Sequence, residues 1–206
     1  MILTFPYYHC DPTRIESTID FILHPYIMDY AGTKIWKNKK GLKHRENGPA
    51  IITRGGYQAY YINGKRHNVN GPAEIGPNGY IAYHLYGELH RLDGPAVINP
   101  DGTEIYYQYG KLHRLNGPAQ ENKDGYKVYY NRGKLHRTDG PALIQANGYI
   151  AYYKHGEKHR LDGPAVISSP CSKEYWVDGE RHRLDGPARI FPNGQKEYWE
   201  YGRRIK

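Results

Sequence analysis

One ten-residue phrase recurs seven times, each copy 23 residues after the last, and nothing else in the chain constrains its fold as strongly. It reads GLKHRENGPA from Gly41, GKRHNVNGPA from Gly64, GELHRLDGPA from Gly87 and GKLHRLNGPA from Gly110. It continues as GKLHRTDGPA from Gly133, GEKHRLDGPA from Gly156 and GERHRLDGPA from Gly179. No insertion disturbs the register, which His44, His67, His90, His113, His136, His159 and His182 mark. A strict period of this length means one supersecondary unit stacked on copies of itself, each burying apolar surface against its neighbours.

The rest of the unit keeps step. An aromatic pair follows at Tyr60-Tyr61, Tyr106-Tyr107, Tyr129-Tyr130, Tyr152-Tyr153, Tyr175-Trp176 and Tyr198-Trp199, with Tyr83-His84 as the variant. Segments such as Ala96-Val97-Ile98 end at Pro-Asn-Gly or Pro-Asp-Gly, residues that tolerate the positive φ of hairpin turns. The connections leave no room for helices. Each unit therefore reads as two short antiparallel strands, and the chain as an all-β, elongated hairpin-repeat array, a single-layer or solenoid-like meander. Residues 41–201 form the seven repeats and 202–206 a partial one. Residues 1–40 form an N-terminal cap with a partial repeat. Asp11 before Pro12, then Ile15, Ile19, Ile22 and Leu23, predict a short amphipathic helix that either covers the first hairpin or binds a partner.

Bulk properties narrow the function classes. The 206 residues hold 22 Tyr but 3 Phe, which suits a thin fold with partly wet faces rather than a thick aliphatic core. The net charge of +8 favours a partner with an acidic surface, protein or nucleic acid. Two distant cysteines, Cys10 and Cys171, suit reduced thiols, and MILTFPYYHC lacks the basic start of a leader, so a cytoplasmic location is expected, that of the host if the protein is viral. No apolar run is long enough for a membrane-spanning helix.

His-Arg-Leu-Asp in the phrase tempts a catalytic reading, but a kinase catalytic loop occurs once and beside other phosphate-binding motifs. Here Asn47 and Asn116 replace the acid, which a general base could not accept. A histidine metal ladder fails on distance, since equivalent atoms two strands away lie roughly 10 Å apart. No metal or cofactor is expected, and no enzyme. His90, Asp93, Gly94 and Pro95, with His113, His136, His159 and His182, read as turn and stacking residues, Gly permitting unusual dihedrals and Pro removing a donor. Two ladders keep two readings each. Arg91, Arg114, Arg137, Arg160 and Arg183, with Asn68 breaking the row, either pair with the turn acid or bind a partner. Tyr83, Tyr106, Tyr129, Tyr152 and Tyr175 either stack across strands or form an aromatic contact surface.

The period, the aromatic residue and the Gly-x-x-His after a hairpin turn make residues 31–206 resemble the MORN repeat and its bacterial antitoxin-like variants. His-Arg-x-Asp-Gly-Pro-Ala further resembles repeat proteins of phages and large DNA viruses. MORN units place Gly where this chain has Arg91 and Arg114, and they lack the Gly-Pro-Ala. The resemblance implies non-enzymatic scaffolding, inhibition or membrane-proximal binding, and it transfers no catalytic residue. The function expected is a protein-binding module, an inhibitor of a host or toxin protein. Nucleic-acid binding through the basic ladder and exposed tyrosines is the alternative. Repeat edges also offer a route to oligomers.

Overall fold

The computed structural model describes residues 26–206, and every element in it is a β-strand. The expected helix over residues 11–23 lies outside the described residues. No helix among them is long and apolar enough to cross a membrane.

Each unit holds four short strands rather than the two expected. In one middle repeat they are Val97–Ile98, Glu104–Ile105, Tyr107–Gln108 and Lys111–Leu112. The first two strands of every unit join one continuous antiparallel sheet of 16 strands, which begins with Tyr26–Met28 and Lys34–Trp36. The last two form a separate two-stranded hairpin in each unit, with Tyr107 opposite Leu112 and Gln108 opposite Lys111.

The division falls at the first residue of the aromatic pair. Tyr106 donates its N–H to the Ala119 carbonyl on the sheet side, at 2.7 Å. Its own carbonyl accepts from the His113 N–H on the hairpin side, at 3.0 Å. One residue thus closes both ladders, which satisfies its backbone groups while breaking the strand in two. Neighbouring hairpins are tied to one another as well. Gly110 N–H donates to the Leu89 carbonyl at 2.9 Å, and Arg91 N–H to the Tyr107 carbonyl at 3.1 Å.

Tight turns close the hairpins, with two successive residues at positive φ, such as Tyr109 at 49° and Gly110 at 70°. That is the turn whose twist matches paired strands, and it ordinarily takes Asn-Gly. Here the first position is Asn63, Tyr86, Tyr109, Arg132, His155, Asp178 or Tyr201, all left-handed. A bulky residue is uncommon in that conformation, so something outside the turn must hold it.

The core is shallow and built from small residues. Ala50, Ala73, Ala96, Ala119, Ala142, Ala165 and Ala188, the last residue of each Gly-Pro-Ala, are completely buried. Val97, Val128 and Val166 follow on the inner face, and among the described residues no large side chain is fully enclosed. Stability is therefore spread over unit-to-unit contacts rather than held in one centre.

Candidate functional site

The conserved geometry of the unit centres on the corner loop between the hairpin and the next sheet strand, His90 to Ala96 in one copy. Five corner arginines fold back over the tyrosine eight residues before them, and Arg45 does the same over Trp36. Guanidinium carbons of Arg91, Arg114, Arg137, Arg160 and Arg183 lie 3.8–4.1 Å from the ring centres of Tyr83, Tyr106, Tyr129, Tyr152 and Tyr175. Such stacking joins a cation to the electron-rich face of the ring. Arg91 Nη1 also donates to the Pro95 carbonyl at 3.3 Å, and Arg91 Nε to Asp93 Oδ1 at 2.9 Å. The same ion pair recurs at Asp139, Asp162 and Asp185, and it holds all four exposed carboxyls below the usual carboxylate range.

Units lacking the aspartate keep the stack. Arg114, next to Asn116, lies closest of all to its ring at 3.8 Å, donates to the Pro118 carbonyl at 3.2 Å, and comes within 3.7 Å of Glu121. Asn68 breaks the arginine row yet repeats one of its bonds, donating from Nδ2 to the Pro72 carbonyl at 2.9 Å. The tyrosines expected to be exposed are half-buried, with one face of each ring occupied.

The glycine has a different cause from the one expected. Among corner glycines only Gly48 and Gly117, both after Asn, show positive φ. At Gly94 a Cβ would sit 2.9 Å from Arg91 Cζ, and at Gly140 3.0 Å from Arg137 Cζ. Glycine is there to make room for the guanidinium.

The histidines hold the strained hairpin turns. In all seven units Nδ1 accepts from the N–H of the left-handed turn residue 19 positions on, at 3.0–3.3 Å. His67 stacks on Tyr86, and His136 on His155, at ring separations of 4.2 and 4.4 Å. A ring nitrogen that accepts an N–H carries no proton, so the proton of the neutral ring is on Nε2. His159 differs, because Asp178 Oδ1 also lies 2.9 Å from its Nδ1. Burial, then His155 and Lys154, push the His136 ring below the ordinary histidine value.

With Arg and His turned inward, the corner loops present another residue to solvent. Leu92, Leu115, Leu161 and Leu184 occupy the position between Arg and Asp or Asn, and they are 72–80% exposed, with Val69 at 76%. The continuous sheet spaces equivalent residues about 10 Å apart, two strands per unit. Between successive loops lie clefts of about 390 to 620 Å³, one lined by Leu92, Asp93, Tyr106, Arg114 and Leu115. The loops are nearly neutral in composition, with Arg45, Arg91, Arg114, Arg137, Arg160 and Arg183 balanced by Glu46, Asp93, Asp139, Asp162 and Asp185. The net charge of +8 therefore arises elsewhere on the array. The sequence signal for this apolar row was the identity of the variable residue in His-Arg-x-Asp, which is Leu in four of the seven copies.

The structure also assembles a polar cluster that the next unit lacks. Glu74, buried on the inner face, accepts from Tyr57 Oη at 2.5 Å and His84 Nε2 at 2.9 Å, and pairs with Arg66 at 2.9 Å. Donation by His84 is the main cause of its lowered pKa. Burial and the bond to Glu74 push the Tyr57 hydroxyl up to about 12. Sequence reading missed this cluster because its members lie in four different strands and turns. No group of three metal-ligating side chains converges among the described residues. No protein-family model and no curated protein matches the chain.

Proposed function

We propose that the chain is a non-enzymatic, protein-binding repeat module that contacts its partner along the corner-loop edge. The observation that carries this reading is the row of exposed Leu92, Leu115, Leu161 and Leu184 on ordered loops. Exposed leucines scattered singly mean little, but leucines on four of five successive loops, with Thr138 on the fifth, set over clefts are what a partner-binding face presents. The basic surface away from the loops favours a partner that is acidic beyond the leucine contact, since long-range charge speeds encounter. An inhibitory or scaffolding role is the one that the MORN resemblance implies.

Nucleic acid is less well served by the two ladders. Each guanidinium already lies on a tyrosine ring and most hold a carboxylate, so neither partner of the stack is available to bases and phosphates without breaking it. Affinity recovery from the source organism tests the reading, with the four leucines changed to serine. Circular dichroism should be unchanged and the protein recovered with the wild type should be lost. Unchanged recovery, or a salt-sensitive gel shift with single-stranded DNA that depends on Arg137, would sink it.

A further inference from the structure

The N-terminal end of the hairpin row departs from the pattern in one way that packing does not explain. In the full units the residue in the place of Lys37 is Tyr, Trp or His, never a cation, whether it faces Leu89, Leu112 or Leu135 or, in the other four units, Arg66, Lys158, Arg181 or Arg204. In the partial unit the corresponding antiparallel bridge pairs Lys37 with Lys43. Like charges directly opposite one another across an antiparallel pair destabilise it.

The surroundings deepen the imbalance. The connecting turn is firmly built, with Asn38 Oδ1 accepting the N–H groups of Lys40 and Leu42 at 3.0 and 3.1 Å. Asn38 Nδ2 then donates to Asn63 Oδ1 at 3.0 Å, which docks the turn on the next hairpin and brings Lys65 alongside. Lys37, Lys43 and Lys65 line one open groove of about 780 Å³ with Tyr61 and Tyr86. Lys43 Nζ lies 5.1 Å from the Tyr61 ring centre, which holds that ammonium over a buried ring. Arg66 also lines the groove, but its charge is matched by Glu74. Glu88 is the one carboxylate among the lining residues. None of the three lysines is in an ion pair among the described residues. The equivalent groove further along, between Tyr130 and Glu157, sets one lysine, Lys134, against one glutamate.

We propose that this groove binds an anion carrying several phosphate groups, with Lys37, Lys43 and Lys65 as its cationic ligands. Three ammonium groups from three segments suit dispersed phosphoryl oxygens, and a bound anion removes the Lys37–Lys43 repulsion. The site is separate from the leucine edge and does not depend on the protein-binding reading.

Inorganic triphosphate and the full chain make the test, read by calorimetry and thermal melting. Triphosphate should bind saturably, more tightly than monophosphate, and raise the melting temperature. Lys43→Glu should weaken that binding by about tenfold or more. The same change places an acid opposite Lys37, so the ligand-free variant should melt above the wild type, which separates lost binding from lost folding. Lys134→Glu, in the equivalent groove, should leave binding unchanged. Displacement of triphosphate by a single-stranded oligonucleotide would identify nucleic-acid phosphates as the source of this chemistry, and failure to displace it a free polyphosphate. Absence of triphosphate binding, or equal binding by Lys43→Glu, would overturn the proposal.

Discussion

The middle of the array and its two ends share a backbone but have opposite interiors. Around Val128 the inner face is mainly apolar, with Leu143 paired beside it and Leu135 on the adjoining hairpin. Two units later the same positions are Glu174, Arg189 and Arg181, and Trp176 stands where Tyr130 stood. There Glu174 accepts from Trp176 Nε1 at 2.9 Å and pairs with Arg181 and Arg189 at 3.5 and 3.4 Å. Arg189 and Arg204 continue the ladder to Glu197 at 3.9 and 3.5 Å. Toward the other end the Glu74 cluster does the same with Tyr57, Arg66 and His84. The difference teaches that hydrogen-bonded corners and turns specify this unit, while its inner face accepts either apolar packing or charges, provided the charges arrive as a complete set.

The sharpest way to break that rule is to move one charge alone. Val128→Glu copies Glu174 without its arginines and leaves a buried, unpaired carboxylate, so about 4 kcal/mol of stability should be lost in urea unfolding. Adding Tyr130→Trp, Leu135→Arg and Leu143→Arg to it should recover most of the loss. If the quadruple variant is no more stable than Val128→Glu, the interiors are not interchangeable.

Removing the acid from a complete set comes next. Glu74→Ala should cost about 3 kcal/mol, because Arg66 and His84 lose their common partner. Replacing the set together, as Arg66→Leu, Glu74→Val and His84→Tyr, writes the residues of the next unit into this one. That triple variant should melt within a few degrees of the wild type or above it, and a melt as low as that of Glu74→Ala would refute the equivalence.

A smaller effect is expected where both regions are alike. Gly94→Ala forces Arg91 off Tyr83 and away from the Pro95 carbonyl, at a cost of about 1 kcal/mol. A crystal structure of the variant with Arg91 still stacked would show that the corner has slack that its distances do not suggest.

The smallest is a pH effect at His136. Its folded pKa is lowered by burial and by His155 and Lys154, so the folded state favours the neutral ring. That contribution is complete above the unfolded value near 6.5 and is lost as pH falls below it. His136→Gln should therefore flatten the stability-versus-pH curve slightly between about pH 7 and 5.5. An unchanged slope would mean that the Nδ1 bond to His155 N–H carries none of the dependence.

Much of the molecule was legible in the residues themselves. The 23-residue period, the strands of Ala-x-Ile type and the turns at Asn-Gly and Asp-Gly follow from local chemistry, since periodicity and φ preference need no distant partner. The ionic interiors were not read from the sequence, because Glu74, Arg66 and His84, like Glu174, Arg181 and Arg189, lie on separate strands that only the sheet and hairpin pairings bring together. Tertiary structure alone decided the rest. Tyr106 looks like the middle of a strand, and only the carbonyl of Ala119 on one side and the N–H of His113 on the other break it there. The arginine of His-Arg-x-Asp could be read as pairing with its acid or as binding a partner, and the loop both pairs it and folds it onto a ring eight residues back, leaving the neighbouring leucine outside. Histidine looked like a turn residue, yet its partner is the left-handed residue 19 positions on, in the next unit, whether Asn, Tyr, Arg, His or Asp. Such pairings depend on how one copy sits on another, and a single unit's sequence contains no distance to its neighbour.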